Sequence, residues 1–188
     1  MILYHIQKKP LYGFTYKELA DILDFSYITI SRAVDNLVKL ELCKTEGNKE
    51  KTLVIKTDKK ELWNNALPYL KPPIKKTIFI NEKLPKNLIR ISNINALAFY
   101  TDLNDDMNIH YAINNNDFVK LVKDGLINET SQYDGEYKVE LWRYNPNTLT
   151  DTEHVDPLSL YLCFRNEHDE RIEKALEQII KSFQLDTK

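Results

Sequence analysis

The chain has 188 residues, a hydrophobic content of 43% and a formal net charge of −2. These values suffice for packed cores and fit either one domain or two domains of roughly 70 and 110 residues. Neither a signal-peptide pattern nor an apolar run of membrane-spanning length is present, so we expect a cytoplasmic protein. Cys43 and Cys163 are far apart in the sequence, and we expect buried thiols rather than a disulfide.

Charge is distributed unevenly between the two halves of the chain. Residues 1–85 contain 15 lysines and arginines against 10 aspartates and glutamates, whereas residues 86–188 contain 11 against 18. The balance is therefore +5 in the first half and −7 in the second. This charge difference suits a basic region that binds nucleic acid joined to an acidic region that binds protein. Ordinary solvated surfaces can have similar net charges.

The first strong pattern in chain order is a helix that begins after Thr15, preceded by a short helix predicted over residues 2–8. Thr15 and Glu18 have the spacing of a capping box, in which the hydroxyl and the carboxylate each bind a backbone amide at the helix start. Leu19, Ala20 and Leu23 then share one helical face. These residues predict a short amphipathic helix.

A second helix is predicted to begin directly after a break at residues 24–26, with Ser26 as its N-cap. Its apolar residues Ile30, Val34 and Leu37 recur at helical spacing and are expected to face inward. The polar residues expected on the outer face are Tyr27, Thr29, Ser31, Arg32, Asp35 and Asn36. Two such helices in succession predict a helix-turn-helix, and Arg32 is the residue best able to make a bidentate contact to guanine.

A short β-hairpin is predicted to follow the two helices. Its strands are expected at residues 41–44 and 53–55, and its polar turn at residues 45–52. Gly47 and Asn48 form the tip, and Lys49 and Lys51 lie on the return. In a winged helix a hairpin in this position is the wing, whose cations contact phosphates.

The predicted first domain ends with a helix from residue 58 to 67, capped by Thr57. Pro68, Pro72 and Pro73 stop this helix, because proline lacks a backbone donor and restricts the preceding residue. We therefore expect a first domain over residues 1–70 and a second over residues 75–188.

The second domain alternates between strand and helix patterns, which indicates an α+β fold. Strands are predicted over residues 76–80, 109–113 and 137–144. Helices are predicted over residues 92–103, 117–124, 157–162 and 169–183. Asn116 and Asp156 are the expected N-caps of two of these helices, Gly125 is the expected C′ residue, and Asp134-Gly135 is a hairpin signal.

Both halves of the chain resemble known regulators. Residues 14–70, especially KELADILDFSYITISRAVDNLVKLELC, resemble the winged helix-turn-helix of MarR-type transcriptional regulators. INALAFYTDL (94–103), VELWRYNP (139–146) and VDPLSLYLCF (155–164) are similar to segments of AbiEi-type antitoxin regulators. The resemblance implies a winged helix joined to an α+β partner domain, in a protein that represses its own operon and offsets a nucleotidyltransferase-like toxin. The segment before Thr15 is short for this pattern, so the first helix is expected to be curtailed.

The expected function is sequence-specific binding of double-stranded DNA by a non-enzymatic transcriptional regulator, an antitoxin-like repressor of its own operon. The residues expected to contact DNA are Tyr16 and Lys17 in the first helix, Ser26, Tyr27, Thr29, Ser31, Arg32 and Asn36 in the second, and Lys44, Asn48, Lys49 and Lys51 in the wing. A homodimer on an inverted repeat is expected, because one module with so few cations binds DNA only modestly. The alternative is a protein-interaction module that neutralises a partner toxin and uses the winged helix as a scaffold.

The sequence supports a catalytic or metal-binding site less than it supports DNA binding. Glu136 and Lys138 have the E-x-K form of Mg²⁺-dependent nucleases, but the nearest acidic residues, at positions 102, 105 and 106, fall in a predicted loop. Residues 102–113 open like a calcium loop but lack its glycine and its final glutamate. The four histidines have no metal-ligand spacing, and no phosphate-binding glycine loop is present, so no metal or cofactor is expected. Trp142 and Tyr144 fit core packing better than a ligand platform.

Overall fold

Residues 1–185 are described by a computed structural model, and residues 186–188, at the end of the predicted second domain, lie outside it. The chain divides into a first unit, Met1–Leu70 with Gln184 and Leu185, and a second unit, Lys71–Phe183. Helices and strands occur in both units, so the prediction of an α+β protein is confirmed. Within the described range, no helix combines the length and the apolar character that crossing a membrane requires.

The first unit consists of short helices and one small antiparallel sheet. Its helices are α1 (Ile2–Gln7), α2 (Tyr16–Leu23), α3 (Tyr27–Lys39) and α4 (Lys59–Ala66). Its strands are β1 (Phe14–Thr15), β2 (Lys44–Glu46) and β3 (Thr52–Val54), which pair in the order β1-β3-β2. Helix α2 packs against α3 and α1 packs against α4, so the unit encloses a core that includes Leu19, Ile30 and Trp63.

The helix starts of this unit follow from local capping. Thr15 accepts a hydrogen bond from the Glu18 amide while the Glu18 carboxylate accepts from the Thr15 amide, so the predicted capping box is confirmed. Ser26 caps α3 as predicted. Helix α4 is capped by Asp58, whose carboxylate accepts two first-turn amides, so the assignment of the cap to Thr57 was wrong by one residue.

The second unit is built on a four-stranded sheet. Its strands are β4 (Ile74–Ile80), β5 (Ile89–Ser92), β6 (His110–Asn114) and β7 (Tyr137–Trp142), in the order β4-β7-β6-β5. Its helices are α5 (Asn93–Tyr100), α6 (Asn115–Lys123), α7 (Pro157–Phe164) and α8 (Glu170–Ser182), with a 3₁₀ turn at Pro146–Thr148. Strand β7 pairs antiparallel with β4 and parallel with β6, which places it in the interior of the sheet.

Alternation along the strands gives the sheet two different buried faces. Ile78, Ile113 and Val139 lie on one face, in a core that includes Phe118 of α6. Glu140 alternates with these apolar residues and points to the opposite face, where α5, α7 and α8 pack together. Strand β7 is therefore covered on both sides.

A buried carboxylate lies on the face covered by α5. Glu140 is 2% exposed, and it accepts hydrogen bonds from the indole Nε1–H of Trp142 (3.1 Å) and from the side-chain amide of Asn93 (3.3 Å). His110 Nδ1 lies 3.7 Å from the same carboxylate. Because unpartnered buried carboxylates are costly, the hydrogen bonds from Trp142 and Asn93 are what permits Glu140 in the core.

Several predicted boundaries in the second unit and the hairpin were wrong. The predicted strand at 41–44 is displaced to β2, because Glu41 adopts a left-handed conformation (φ 58°) that ends α3 first. Helix α6 is capped by Asn114 rather than Asn116. Asp134-Gly135 forms no hairpin ladder, since the partners of β7 are β4 and β6. Strands β1 and β5 were not predicted.

Candidate nucleic-acid interface

The turn between α2 and α3 is short and locally determined. Asp24 ends α2 in a left-handed conformation (φ 56°), and Ser26 then starts α3 in an extended one. The Ser26 hydroxyl accepts from the Thr29 amide (3.2 Å) and lies 2.9 Å from the Thr29 hydroxyl. The Ser26 hydroxyl is therefore occupied in capping α3. Only its remaining hydrogen-bonding capacity is available to a ligand.

Helix α3 presents a sharply divided surface. Ile30 is 2% exposed and Val34 is fully buried, whereas Tyr27 is 57% exposed. Thr29, Arg32 and Asn36 are exposed and Ser31 is half-buried. The prediction that Ile30 and Val34 face inward is confirmed, while Leu37, predicted with them, is half-buried. Most polar side chains of the first two turns are exposed to solvent.

The β2–β3 hairpin carries a compact polar turn. Lys44 pairs with Val54 and Glu46 with Thr52, which fixes the two strands and leaves residues 47–51 as the connection. Gly47 has a φ of +96°, and a Cβ there would collide with the backbone oxygen of Glu50 in the same turn. The turn therefore requires glycine at this position. Asn48, Lys49 and Lys51 are exposed on it, as is Lys44 at its base.

The cations of this region are available to an external anion. Lys17, Arg32, Lys44, Lys49 and Lys51 are all exposed, and within residues 1–185 none of them forms an ion pair. The hairpin lysine that is paired is a different one: Lys56 lies 3.4 Å from Glu46. Unpaired exposed lysines retain their full charge for an approaching phosphate.

Acidic residues lie in the same region and limit its positive potential. Asp35 on α3 and Glu50 in the hairpin turn are both exposed. An interface with both signs of charge favours contacts at defined positions over attraction to any polyanion.

Tyr16 is the predicted contact residue that the structure contradicts. It is 5% exposed, and its ring lies 6.1 Å from that of Tyr27. Burial and the nearby Asp35 carboxylate raise the pKa of its hydroxyl above the usual 10. Tyr16 is three residues before Leu19, on the inward face of α2, so it supports Tyr27 instead of contacting a ligand itself.

Ile28 is a residue that the sequence analysis missed. It is 62% exposed in the first turn of α3, beside Tyr27. Because Ile28 is two residues before the buried Ile30, it lies on the opposite side of the helix. This spacing can be recognised in the sequence alone. An exposed apolar side chain at the start of such a helix can contact a thymine methyl group.

The residues considered for catalysis are not assembled into a site. Glu136 is exposed and precedes β7, while the Lys138 ammonium lies 5.7 Å from the centre of the Phe79 ring. Asp102 accepts a hydrogen bond from Gln178. In the described part of the chain, no three residues among the histidines, cysteines, aspartates and glutamates are grouped so as to hold a metal ion.

Several histidine, cysteine and aromatic side chains considered in the sequence analysis pack or form hydrogen bonds within the protein. The buried His5 accepts a hydrogen bond from the Leu11 amide at Nδ1 (3.0 Å). Both cysteines are free thiols, and burial raises the pKa of Cys43 to about 11. Trp142 is fully buried against Tyr144, which confirms the expected core packing.

The main chemically organised surface of the first unit thus consists of the exposed polar residues at the start of α3 and the unpaired cations on the adjacent hairpin. No protein-family model, curated protein or solved structure matches this chain.

Proposed function

We propose that the first unit is a winged helix-turn-helix and that the protein is a sequence-specific, double-stranded-DNA-binding transcriptional regulator. The order α1-β1-α2-α3-β2-β3 matches such a module, with α3 as the recognition helix and the β2–β3 hairpin as the wing. The observation that carries the proposal is the division of α3, which buries Ile30 and Val34 while it exposes Thr29 and Arg32. A helix anchored along one side and polar along the other can enter the major groove without losing its core contacts.

The start of α3 is suited to phosphate and base contacts. First-turn amides have no partner within a helix, so the Tyr27 and Ile28 amides are available to a phosphate oxygen. Arg32 follows one turn later, where its guanidinium reaches the O6 and N7 atoms of guanine. Asn36, four residues further on the same side, has the side chain that pairs with adenine. Base preference therefore rests on Arg32 and Asn36.

The wing supplies contacts that do not depend on sequence. Lys44, Lys49 and Lys51 are exposed without ion-pair partners in residues 1–185 and lie on the hairpin that follows α3. Ammonium groups act as point charges on phosphates and contribute affinity for any duplex. Two copies of the chain on an inverted repeat would double these contacts, which is the arrangement we propose for the operator.

The resemblance to AbiEi-type regulators extends the proposal to a biological role. On this proposal the protein represses its own operon, and its second unit holds a nucleotidyltransferase-like toxin encoded by an adjacent gene. The excess of acidic residues in residues 86–188 supports a protein partner rather than DNA for that part. Co-purification of the second unit's partner from a strain expressing both genes tests this extension separately.

The test of DNA binding is a selection of bound duplexes from a random pool, followed by titration of the selected duplex with matched variants. Arg32→Lys keeps the charge but loses the bidentate fork, so we expect reduced preference for one base pair with binding to random DNA unchanged. Arg32→Ala is expected to lose about 1–3 kcal/mol of binding free energy on the selected duplex. Lys60→Ala, in the first turn of α4, removes a lysine charge from the helix that packs against α1 and serves as the control.

The duplex selection has one outcome that supports the proposal and two that contradict it. Enrichment of one motif by the wild type, lost in Arg32→Lys and kept in Lys60→Ala, supports the proposal. A pool that remains random after several rounds contradicts it, as does a motif that Arg32→Ala selects equally well.

A further inference from the structure

A cavity of about 200 Å³ lies within the second unit, beside the edge strand β5. It opens on the same face of the sheet as the α6 core, and Leu84, Ile89 and Ile91 form its apolar wall. Its volume equals that of about seven molecules of liquid water, which is below the range for drug-sized ligands. A ligand for this cavity must therefore be small.

The polar lining of the cavity is predominantly cationic. Lys83, Lys86 and Arg90 contribute three positive charges, against one carboxylate from Glu153. Among residues 1–185, neither lysine forms an ion pair. The second unit, residues 71–183, contains 14 lysines and arginines against 18 aspartates and glutamates, so the excess of positive charge is a local property of the cavity.

Arg90 is held in place with donors to spare. Its Nη1 donates to the Ile89 carbonyl at 2.7 Å, which fixes the guanidinium beside the cavity. Nη1 and Nη2 together carry four N–H donors, of which this bond uses one, so the guanidinium can also donate to an anion in the adjacent cavity.

Two tyrosine rings complete the cavity. Tyr111 on β6 and Tyr137 on β7 lie with their ring centres 6.3 Å apart and tilted by 54°. A hydrogen bond to the neighbouring Glu136 carboxylate, which does not line the cavity, raises the pKa of the Tyr137 hydroxyl. The two rings form a surface for an apolar or aromatic body.

The loop that carries the two lysines is anchored at several points. Leu84, between them, is 5% exposed and belongs to the α6 core. Just before it, the Glu82 carboxylate accepts from the backbone amide of Asn128 (2.9 Å) and from its side chain (3.2 Å). These contacts hold Lys83 and Lys86 at the mouth of the cavity, which lowers the entropic cost of binding an anion.

We propose that this cavity is a binding site for a small phosphate monoester with an apolar or aromatic body. The phosphate group binds among Lys83, Lys86 and Arg90, while the body lies against Tyr111, Tyr137 and the apolar wall. Arginine and lysine together match a phosphate by geometry and by charge. The site is independent of DNA binding, because every residue that lines it belongs to the second unit.

Calorimetric titration of the full chain tests the site with three probes. Phenyl phosphate carries both the anion and the ring, inorganic phosphate carries only the anion, and phenol carries only the ring. We expect phenyl phosphate to bind at least about tenfold more tightly than either fragment, because it engages both the cations and the apolar surface. Equal binding of phenol and phenyl phosphate, or no saturable binding of phenyl phosphate at millimolar concentrations, would overturn the proposal.

Exposed lysines provide variants that preserve the fold. The double variant Lys83→Ala and Lys86→Ala should weaken phenyl phosphate binding about tenfold or more. Lys76→Ala removes the same kind of charge from β4, at the opposite edge of the sheet from β5, and should leave the affinity unchanged within about twofold. If the double variant binds as the wild type does, or if Lys76→Ala weakens binding equally, the cavity does not hold the phosphate.

Discussion

Replacing Lys49 by alanine should make DNA binding less sensitive to salt. Apart from Arg32, which is proposed to contact guanine, the proposed interface contains four exposed cations without ion-pair partners in the described residues: Lys17, Lys44, Lys49 and Lys51. If each neutralises one phosphate, the slope of log K against log salt concentration is about −3.6 for each bound copy. Between 50 and 200 mM salt this slope corresponds to a loss of roughly 150-fold in affinity.

Lys49→Ala removes one phosphate contact and should reduce the slope to about −2.7 per copy. The loss of affinity over the same salt range then falls to roughly 40-fold, and all duplex sequences should be affected alike. Fluorescence anisotropy with a labelled duplex at several salt concentrations measures both slopes.

The control for this experiment is Lys60→Ala, which lies on α4 and should leave the slope as in the wild type. An unchanged slope in Lys49→Ala would refute the placement of the hairpin on phosphates. An equal change in both variants would show that the slope reports net charge rather than contact.

Three further predictions concern the turn, a histidine and the buried carboxylate. Gly47→Ala should disturb the hairpin turn at a cost of about 1–3 kcal/mol and weaken binding to all duplexes, because φ there is +96° and a Cβ collides with the backbone. Burial lowers the pKa of His5, with smaller contributions from Lys59 and the amino terminus. The stabilisation contributed by neutral His5 should therefore be complete above the unfolded-state pKa of about 6.5, and it should be lost as the pH falls through the lower folded-state pKa. Glu140→Ala should cost about 1–3 kcal/mol for each buried donor that it leaves unpaired, one of which is the indole of Trp142.

Each of these predictions has a matched comparison. Thermal unfolding of Gly47→Ala beside Asn48→Ala, in the same turn, separates backbone strain from loss of a side chain. His5→Gln cannot titrate, so the difference between wild type and variant should shrink as pH falls from 7.5 to 5.5; a constant difference would contradict the assignment. Glu140→Gln retains an acceptor and should be less destabilised than Glu140→Ala in urea unfolding; the reverse order would argue against the role of the hydrogen bonds.

Helix starts were predicted well from the sequence because their signals are local. Thr15 with Glu18, and Ser26 with Thr29, satisfy first-turn amides within three residues, so the interaction can be read without knowing the fold. Asp156 before a proline is of the same kind, and it caps α7 as expected. Where two adjacent residues can both cap, as at Thr57 and Asp58, the sequence does not distinguish them.

Strand pairing was predicted poorly because it depends on distant residues. The Asp134-Gly135 signal suggested a local hairpin, yet β7 pairs with β4 and β6, whose residues are far away in the chain. Strand β1 has two residues and β5 has four, which is too short for an alternating pattern to be recognised. Length and non-local pairing account for these errors.

The candidate interface was predicted from helical spacing, and its one contradicted residue shows how that spacing should be applied. Tyr16 is three residues before Leu19 and seven before Leu23, so the same periodicity that buries those leucines also buries Tyr16. Ile28 was overlooked because only polar side chains were considered for the outer face of α3. The cavity beside β5 was not predictable, since its lining comes from several separate segments of the chain.

The most direct test of the DNA-binding account is an NMR titration of the full chain with the selected duplex. Backbone amide shifts should change most in the first turns of α3, from Tyr27 to Arg32, and in the hairpin turn at residues 47–51. Residues of α6 should change little. Shift changes confined to residues 71–183, with α3 unaffected at saturation, would contradict the claim that α3 enters the major groove.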